Sequence, residues 1–201
     1  MGDQAHRPAH AEPGWPFGRL ILVKHGKPRI VEDQPRSTWA LSDEGRTMAA
    51  SLAHRLRPFA PTRLFASAEI KATDTARAMG AVLDLTVSVD AGFGEHRADD
   101  KPFGTQAAFE AEVARLFAEP SALVMGEETG DAAHDRFDAA IARAAAGHGE
   151  TTVVVSHGRI ITLWLSRRLG FEPMPFWRRF GLASAAVATA EGLEMVEGQD
   201  P

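Results

Sequence analysis

The sequence predicts an α/β fold, a three-layer sandwich with a mostly parallel central sheet and helices on both faces. Three observations predict it. Short runs rich in Ile, Leu and Val alternate with helical stretches, the pattern of βα units. The two strongest runs, "LILV" and "TVVV", are continuously apolar, as strands buried on both faces are. Both lead within two residues into His-Gly, and open parallel sheets bind ligands at such strand tips.

Each element can be read in order. Residues 1–18, "MGDQAHRPAHAEPGWPFG", lack a basic region followed by an apolar one and read as a flexible polar leader. His6 and His10 in it are too isolated for a good metal site. Arg19 to Val23 is a buried strand, followed by a loop with Pro28 and Pro35. "LSDEGRTMAASLAHRLRPF" is a helix with Ser42 as N-cap, acids in its first turn, and Met48, Leu52 and Leu56 every four residues. "TRLFAS" is a second strand, "EIKATDTARAMGAVL" a helix, and "TVSV" a short third strand ending at Asp90. Residues 91–125 break the rhythm and read as an insertion carrying one helix, "TQAAFEAEVARLF", within a single domain over 19–201. "DAAHDRFDAAIARAAAG" is a helix with Gly147 as C-cap, and "TTVVVS" is the clearest strand. "RIITLWLSRRLG" is a helix ending on Gly170, with Trp164 in the core. "PMPFWRRF" reads as irregular, its aromatics packed under a loop in preference to forming part of the pocket rim, and "ASAAVATAEGLEMVE" as a final strand or hairpin.

Bulk properties narrow the function. The 201 residues suit one α/β domain with an insertion. A net charge of −5, with no basic block longer than two residues, argues against a nucleic-acid surface. The absence of cysteine removes disulfides, thiolate metal sites and a cysteine nucleophile, and fits a reducing, cytoplasmic setting. No apolar run approaches the roughly 18 residues of a membrane span. A small-molecule partner is the expectation that remains.

The two histidine tips supply the chemistry. "LILV" leads into Lys24-His25-Gly26 and "TVVV" into Ser156-His157-Gly158, so neighbouring tips would present both imidazoles to one crevice. A glycine after each lets the chain turn and brings backbone N–H groups near a ligand. The helix that begins at Gly158 favours an anion at its N-terminus. The other two tips lead to Lys71 and Glu95. Two imidazoles, two ammoniums and a carboxyl group suit phosphoryl transfer: an imidazole attacks phosphorus, cations hold the oxygens, and an acid protonates the leaving oxygen. Positive neighbours also keep His25 neutral and nucleophilic. Such a site needs no metal or other cofactor, and the histidines are not spaced as a zinc motif.

These residues resemble the histidine phosphatase superfamily, with its phosphoglycerate-mutase-like fold. Its Arg-His-Gly after the first strand is matched by Lys24-His25-Gly26. Its Ser-x-x-x-Arg-Ala-x-x-Thr-Ala is matched by Ser67, Lys71, Ala72, Thr75 and Ala76 in "SAEIKATDTA". Its glutamate past the third strand fits Glu95, its Gly-Glu-Ser resembles "GEETGDAAHDRF", and its Ser/Thr-His-Gly matches "VVVSHGRII". The likeness runs from about residue 19 to 190 in consistent order. It implies a phosphomonoester hydrolase in which His25 is the phosphorylated nucleophile, His157 binds the transferring group, and Glu95 is general acid and then base. Lys24 and Lys71 would stand where the family has two phosphate-clamping arginines.

That double departure has a physical meaning. Arginine grips two phosphate oxygens with a planar fork, whereas lysine offers a compact point charge. Charge is kept while fixed bidentate geometry is lost, although Arg29 could add a guanidinium from the loop. The outcomes left open are an active enzyme with shifted substrates, a slow one, or a phospho-ligand binding protein. A mutase ranks low, because the insertion lacks a signature for sugar acids. Asp99 and Asp100 rival Glu95 as the acid. His96 reads as a loop residue, His54, His134 and His148 as surface residues, and Glu127 and Glu128 as either pocket or helix-start acids.

Overall fold

The computed structural model describes residues 15–98, 104–144 and 150–198. Gly147, His148, Asp99, Asp100 and the histidines at 6 and 10 lie outside them. Six strands form one sheet in the order β3-β2-β4-β1-β5-β6. They are β1 (Arg19–Lys24), β2 (Arg63–Ala66), β3 (Val87–Val89), β4 (Thr151–Ser156), β5 (Ala185–Thr189) and β6 (Gly192–Val196). The first four are mutually parallel; β5 runs antiparallel to β1 and returns as a hairpin with β6. The helices are α1 (Asp43–Leu56), α2 (Ile70–Leu83), α3 (Gln106–Ala118), α4 (Gly130–Ala144), α5 (Gly158–Leu169) and α6 (Pro173–Arg179). None of them is long and apolar enough to cross a membrane.

Alternation along the strands builds the three layers. In β1, Ile21 and Val23 pack with Ala49, Leu52, Ala76 and Met79 of α1 and α2. Leu20 and Leu22 face the other way, toward Phe137 and Ile141 of α4 and Trp164 of α5. All six residues of β4 are buried, because helices cover both faces of this central strand. Each large aliphatic side chain buried in this way contributes about 1.5–3 kcal/mol.

Local signals hold the helix ends as expected. Ser42 Oγ accepts from Gly45 N at 3.0 Å and caps α1, worth about 1 kcal/mol. Gly170 ends α5 at φ 72°, where a side chain is disfavoured.

Three readings change. "PMPFWRR" is helical, not irregular. Its prolines lie in the first turn of α6, where backbone N–H groups have no helical partner to lose, and Phe176 packs between Phe171 and Phe180 at 5.2 and 5.1 Å. Trp15 and Phe17, inside the stretch read as a leader, pack edge-on and tilted against Trp164, with ring centroids at 6.1 and 6.2 Å. Residues 91–125 contribute a small separate cluster, Ala98, Val113, Leu116 and Met125, with Phe109 and, from α6, Trp177 against it.

Register sets the site. Lys24 pairs with Ser156, so His25 and His157 leave adjacent strands at the same level. The third reading to change is that of Gly26: close packing requires it, not a sharp turn. A Cβ there would meet Gly45 O at 2.6 Å, and one on Gly45 would meet Lys27 O at 2.3 Å. Gly26→Ala is expected to cost about 1–3 kcal/mol of unfolding free energy by forcing α1 off the His25 loop, measurable by urea denaturation.

Candidate active site

His25 follows β1 and is 8% exposed; His157 follows β4 and is 1% exposed. Their ring centroids lie 5.2 Å apart. His25 Nδ1 is 2.8 Å from Gly26 O. A carbonyl only accepts, so Nδ1 carries the proton and Nε2 keeps its lone pair in the neutral ring. Gly26 N donates to Thr75 Oγ1 at 3.0 Å, and that hydroxyl donates to Lys71 O at 2.7 Å, tying the His25 loop to α2. Burial first, then His157, Lys71 and Lys24, push His25 well below the ordinary histidine range, so it is neutral at pH 7. Burial also lowers His157, against the opposing pull of the Glu69 carboxylate.

The two lysines flank this pair. Lys24 Nζ donates to Phe180 O at 2.8 Å, a carbonyl at the end of α6, and the lysine stem packs on Gly158. Burial draws its pKa down, with Glu95 opposing. Lys71 Nζ donates to Arg36 O at 2.8 Å and to Glu69 Oε2 at 2.5 Å.

Glu95 is fastened to the start of α5. Its Oε1 accepts from His96 N at 2.9 Å and Ile160 N at 3.0 Å, and its Oε2 from Arg159 N at 3.1 Å. The Arg159 guanidinium lies 3.4 Å away. Burial works against this carboxylate, but Arg159, His157 and the backbone donors outweigh it and hold its pKa at about 2.

These groups open on a cavity of about 450 Å³ lined by Lys24, His25, Glu69, Lys71, Glu95 and His157, with Gly158 at its edge. Trp39, Phe109 and Trp177 form its apolar wall, and Arg36, Arg97, Arg136 and Arg159 also line it. Five of the residues singled out from sequence, together with Gly158, therefore converge. Arg29 does not: it is exposed and outside the lining, and its backbone N–H bonds Ala40 O. The nearby guanidiniums come from the later loop and from α4 and α5. Glu127 lines the cavity, whereas Glu128 pairs with Arg136 at 2.6 Å. His96 is a loop residue, yet buried, with Nε2 donating to Glu128 O at 2.7 Å.

Sequence reasoning missed Glu69. It reads locally as the start of α2, but its side chain makes no cap bond and enters the cavity. Glu69 Oε1 accepts from Glu95 N at 2.8 Å and lies 3.2 Å from His157 Nε2. Burial is again opposed, by His157 and Lys71, and the carboxyl is held down to about 2. An acid two residues before Lys71 was the available signal.

A neutral imidazole whose Nε2 has no partner among the described residues thus lies beside a second imidazole and two ammoniums at the carboxyl edge of a parallel sheet, where open α/β sheets bind ligands. The chain belongs to the histidine phosphatase superfamily, branch 1, whose family model matches residues 20–194. Among solved structures it is similar to "Mycobacterial hydrolase 1", with 25% identity, a TM-score of 0.65, and coverage of 85% of this chain and 90% of the other. Mycobacterial glucosyl-3-phosphoglycerate phosphatase complexed with VO3 shares 23% identity with a TM-score of 0.68, covering 91% and 98%. A phosphoserine phosphatase mutant from Entamoeba histolytica shares 17% identity with a TM-score of 0.61, covering 90% and 96%. The latter two are likenesses of fold. No curated protein matches the chain significantly.

Proposed function

We propose that the chain is a metal-independent phosphatase that hydrolyses a small phosphomonoester through a phosphohistidine on His25. The observation that carries this reading is the His25 ring, whose Nδ1 is committed to Gly26 O while Nε2 is bare and the ring neutral. In the first step Nε2 attacks phosphorus, the P–O bond to the leaving group breaks, and the leaving oxygen takes a proton from a carboxyl group. Family position gives that role to Glu95. In the second step the carboxylate takes a proton from water, the oxygen attacks phosphorus, and the N–P bond breaks to release phosphate. Lys24, Lys71 and the Gly158 N–H oppose the charge that builds on the phosphoryl oxygens, the next two N–H groups of α5 being held by Glu95, and family position gives His157 a part in binding the group.

Cavity size and wall support a small substrate with a partly apolar body resting on Trp39, Phe109 and Trp177. The relatives of similar fold are named for glucosyl-3-phosphoglycerate and phosphoserine, which fits a small phosphomonoester. Purified protein is expected to hydrolyse an aryl phosphate at a rate unchanged within about twofold by a chelator, since ammoniums supply the charge a metal otherwise would. No turnover across a broad phosphomonoester panel would overturn the proposal.

One observation favours a second reading. Both ammoniums already have protein acceptors, which suits a binding protein that keeps the pocket with little turnover. That reading predicts saturable phosphate binding without hydrolysis, and a gain of rate in the Lys24→Arg/Lys71→Arg double variant.

A further inference from the structure

We propose that Glu69 is a positioning residue that makes Lys71 serve where the family uses arginine; this rests on the phosphate-binding part of the function proposed above. An arginine fork fixes its own donors, but an ammonium on a four-carbon stem rotates freely. At Lys71 that freedom is removed. Its Nζ has three N–H groups; one goes to Arg36 O at 2.8 Å and one to Glu69 Oε2 at 2.5 Å. Two fixed acceptors leave the third N–H a single direction. The lysine side chain is 8% exposed and lines the cavity, so that N–H is available to a phosphoryl oxygen held there and to little else.

Glu69 is itself held from the other side. Its Oε1 takes Glu95 N at 2.8 Å, so the carboxylate is anchored to backbone and does not follow the lysine. It also lies 3.2 Å from His157 Nε2, which offers a rival route of action through the imidazole. Among the described residues Lys24 has no such hydrogen-bonded carboxylate: its ammonium is held by one carbonyl, Phe180 O. Of the two arginine positions, the one at 71 is thus rebuilt with directional geometry, and the carboxylate is the added part.

The cost of this arrangement is a negative charge in an anion site, and that makes the test sharp. In the intact protein, Glu69→Gln removes the strong acceptor and frees the ammonium. Inhibition by vanadate, which mimics the five-coordinate phosphorus, is expected to weaken at least about tenfold, and inhibition by inorganic phosphate less. In a Lys71→Met background there is no ammonium to orient, and Glu69 only repels the anion. There Glu69→Gln is expected to be neutral or to tighten phosphate and vanadate binding. Lys71→Arg is expected to lower activity in the wild-type background, because the site is built around the shorter side chain. Phosphate and vanadate binding measured by calorimetry gives the same comparison should the protein prove not to turn over, so failure of the phosphatase reading is seen separately. The proposal is overturned if Glu69→Gln changes vanadate affinity less than twofold. It is overturned equally if the loss is the same with Lys71 and with Met at that position, which would place the action of Glu69 on His157, or if Lys71→Arg raises the rate.

Discussion

Replacing His25 with alanine is expected to lower aryl phosphate turnover by at least about four orders of magnitude, the scale typical of losing a covalent nucleophile. Neither other histidine of the cavity lining is placed to replace it: His96 gives Nε2–H to Glu128 O at 2.7 Å and its Nδ1 is buried. His157 has its Nε2 shared between Ser67 Oγ at 2.9 Å and Glu69, and its Nδ1 is buried with no partner among the described residues. Rapid quenching of the wild type during turnover of a 32P-labelled ester should give a protein-bound label that is lost in acid and kept in alkali, and His25→Ala should give none. The pH profile adds a second check. Attack needs the neutral ring, and burial with three positive or partly positive neighbours holds His25 well below 6.5. The acid limb of kcat/KM should therefore lie below the ordinary histidine range, with little loss on going from pH 7.5 to 6.5. Lys71→Met removes one of those neighbours and should move the limb upward. A variant at His25 that keeps more than about a hundredth of the rate would remove the phosphohistidine from the mechanism.

What could be read from the sequence follows the range of the physical signal. The strands β1 and β4 and the tips at His25 and His157 were legible because continuous β-branched runs and the residues just after them are local facts. The cap at Ser42 was legible for the same reason. Two kinds of feature were not. The prolines of α6 read as breakers because their effect depends on position within a helix, and the first turn tolerates what the interior does not. Glu69 read as a helix start because its partners are remote in sequence: Glu95 N is 26 residues away, and His157 lies beyond that on another strand. The same applies to the guanidiniums. Arg29 is near His25 along the chain but points elsewhere, whereas Arg36, Arg136 and Arg159 reach the cavity through loop course and helix packing.

Glu95→Gln is the substitution expected to change both stability and chemistry. Glu95 receives three backbone N–H groups, two of them from the first turn of α5. A glutamine keeps the shape but brings an NH2 against those donors and removes the charge opposite Arg159. The folded carboxyl titrates at about 2, against an ordinary 4.5, and a depression of that size corresponds to about 3 kcal/mol. Because the folded pKa is the lower one, this stabilisation is full above pH 4.5 and is lost as pH falls toward 2. Denaturation at several pH values should therefore show the variant furthest below wild type at neutral pH, with the gap closing between about pH 4.5 and 2. Glu69 titrates over the same window, so the variant should keep part of the acid-driven slope. The chemical effect separates proton donation from scaffolding. A carboxyl held near 2 is ionised in the free protein, and it can donate a proton only after the entering phosphoryl charge raises its pKa. If it does donate, an alkyl phosphate, whose leaving oxygen needs the proton, should lose about 10²- to 10⁴-fold in kcat, and a nitrophenyl phosphate much less. Equal losses on both esters would mean that Glu95 serves the site by holding the start of α5 under His157, and that the leaving oxygen draws its proton from elsewhere.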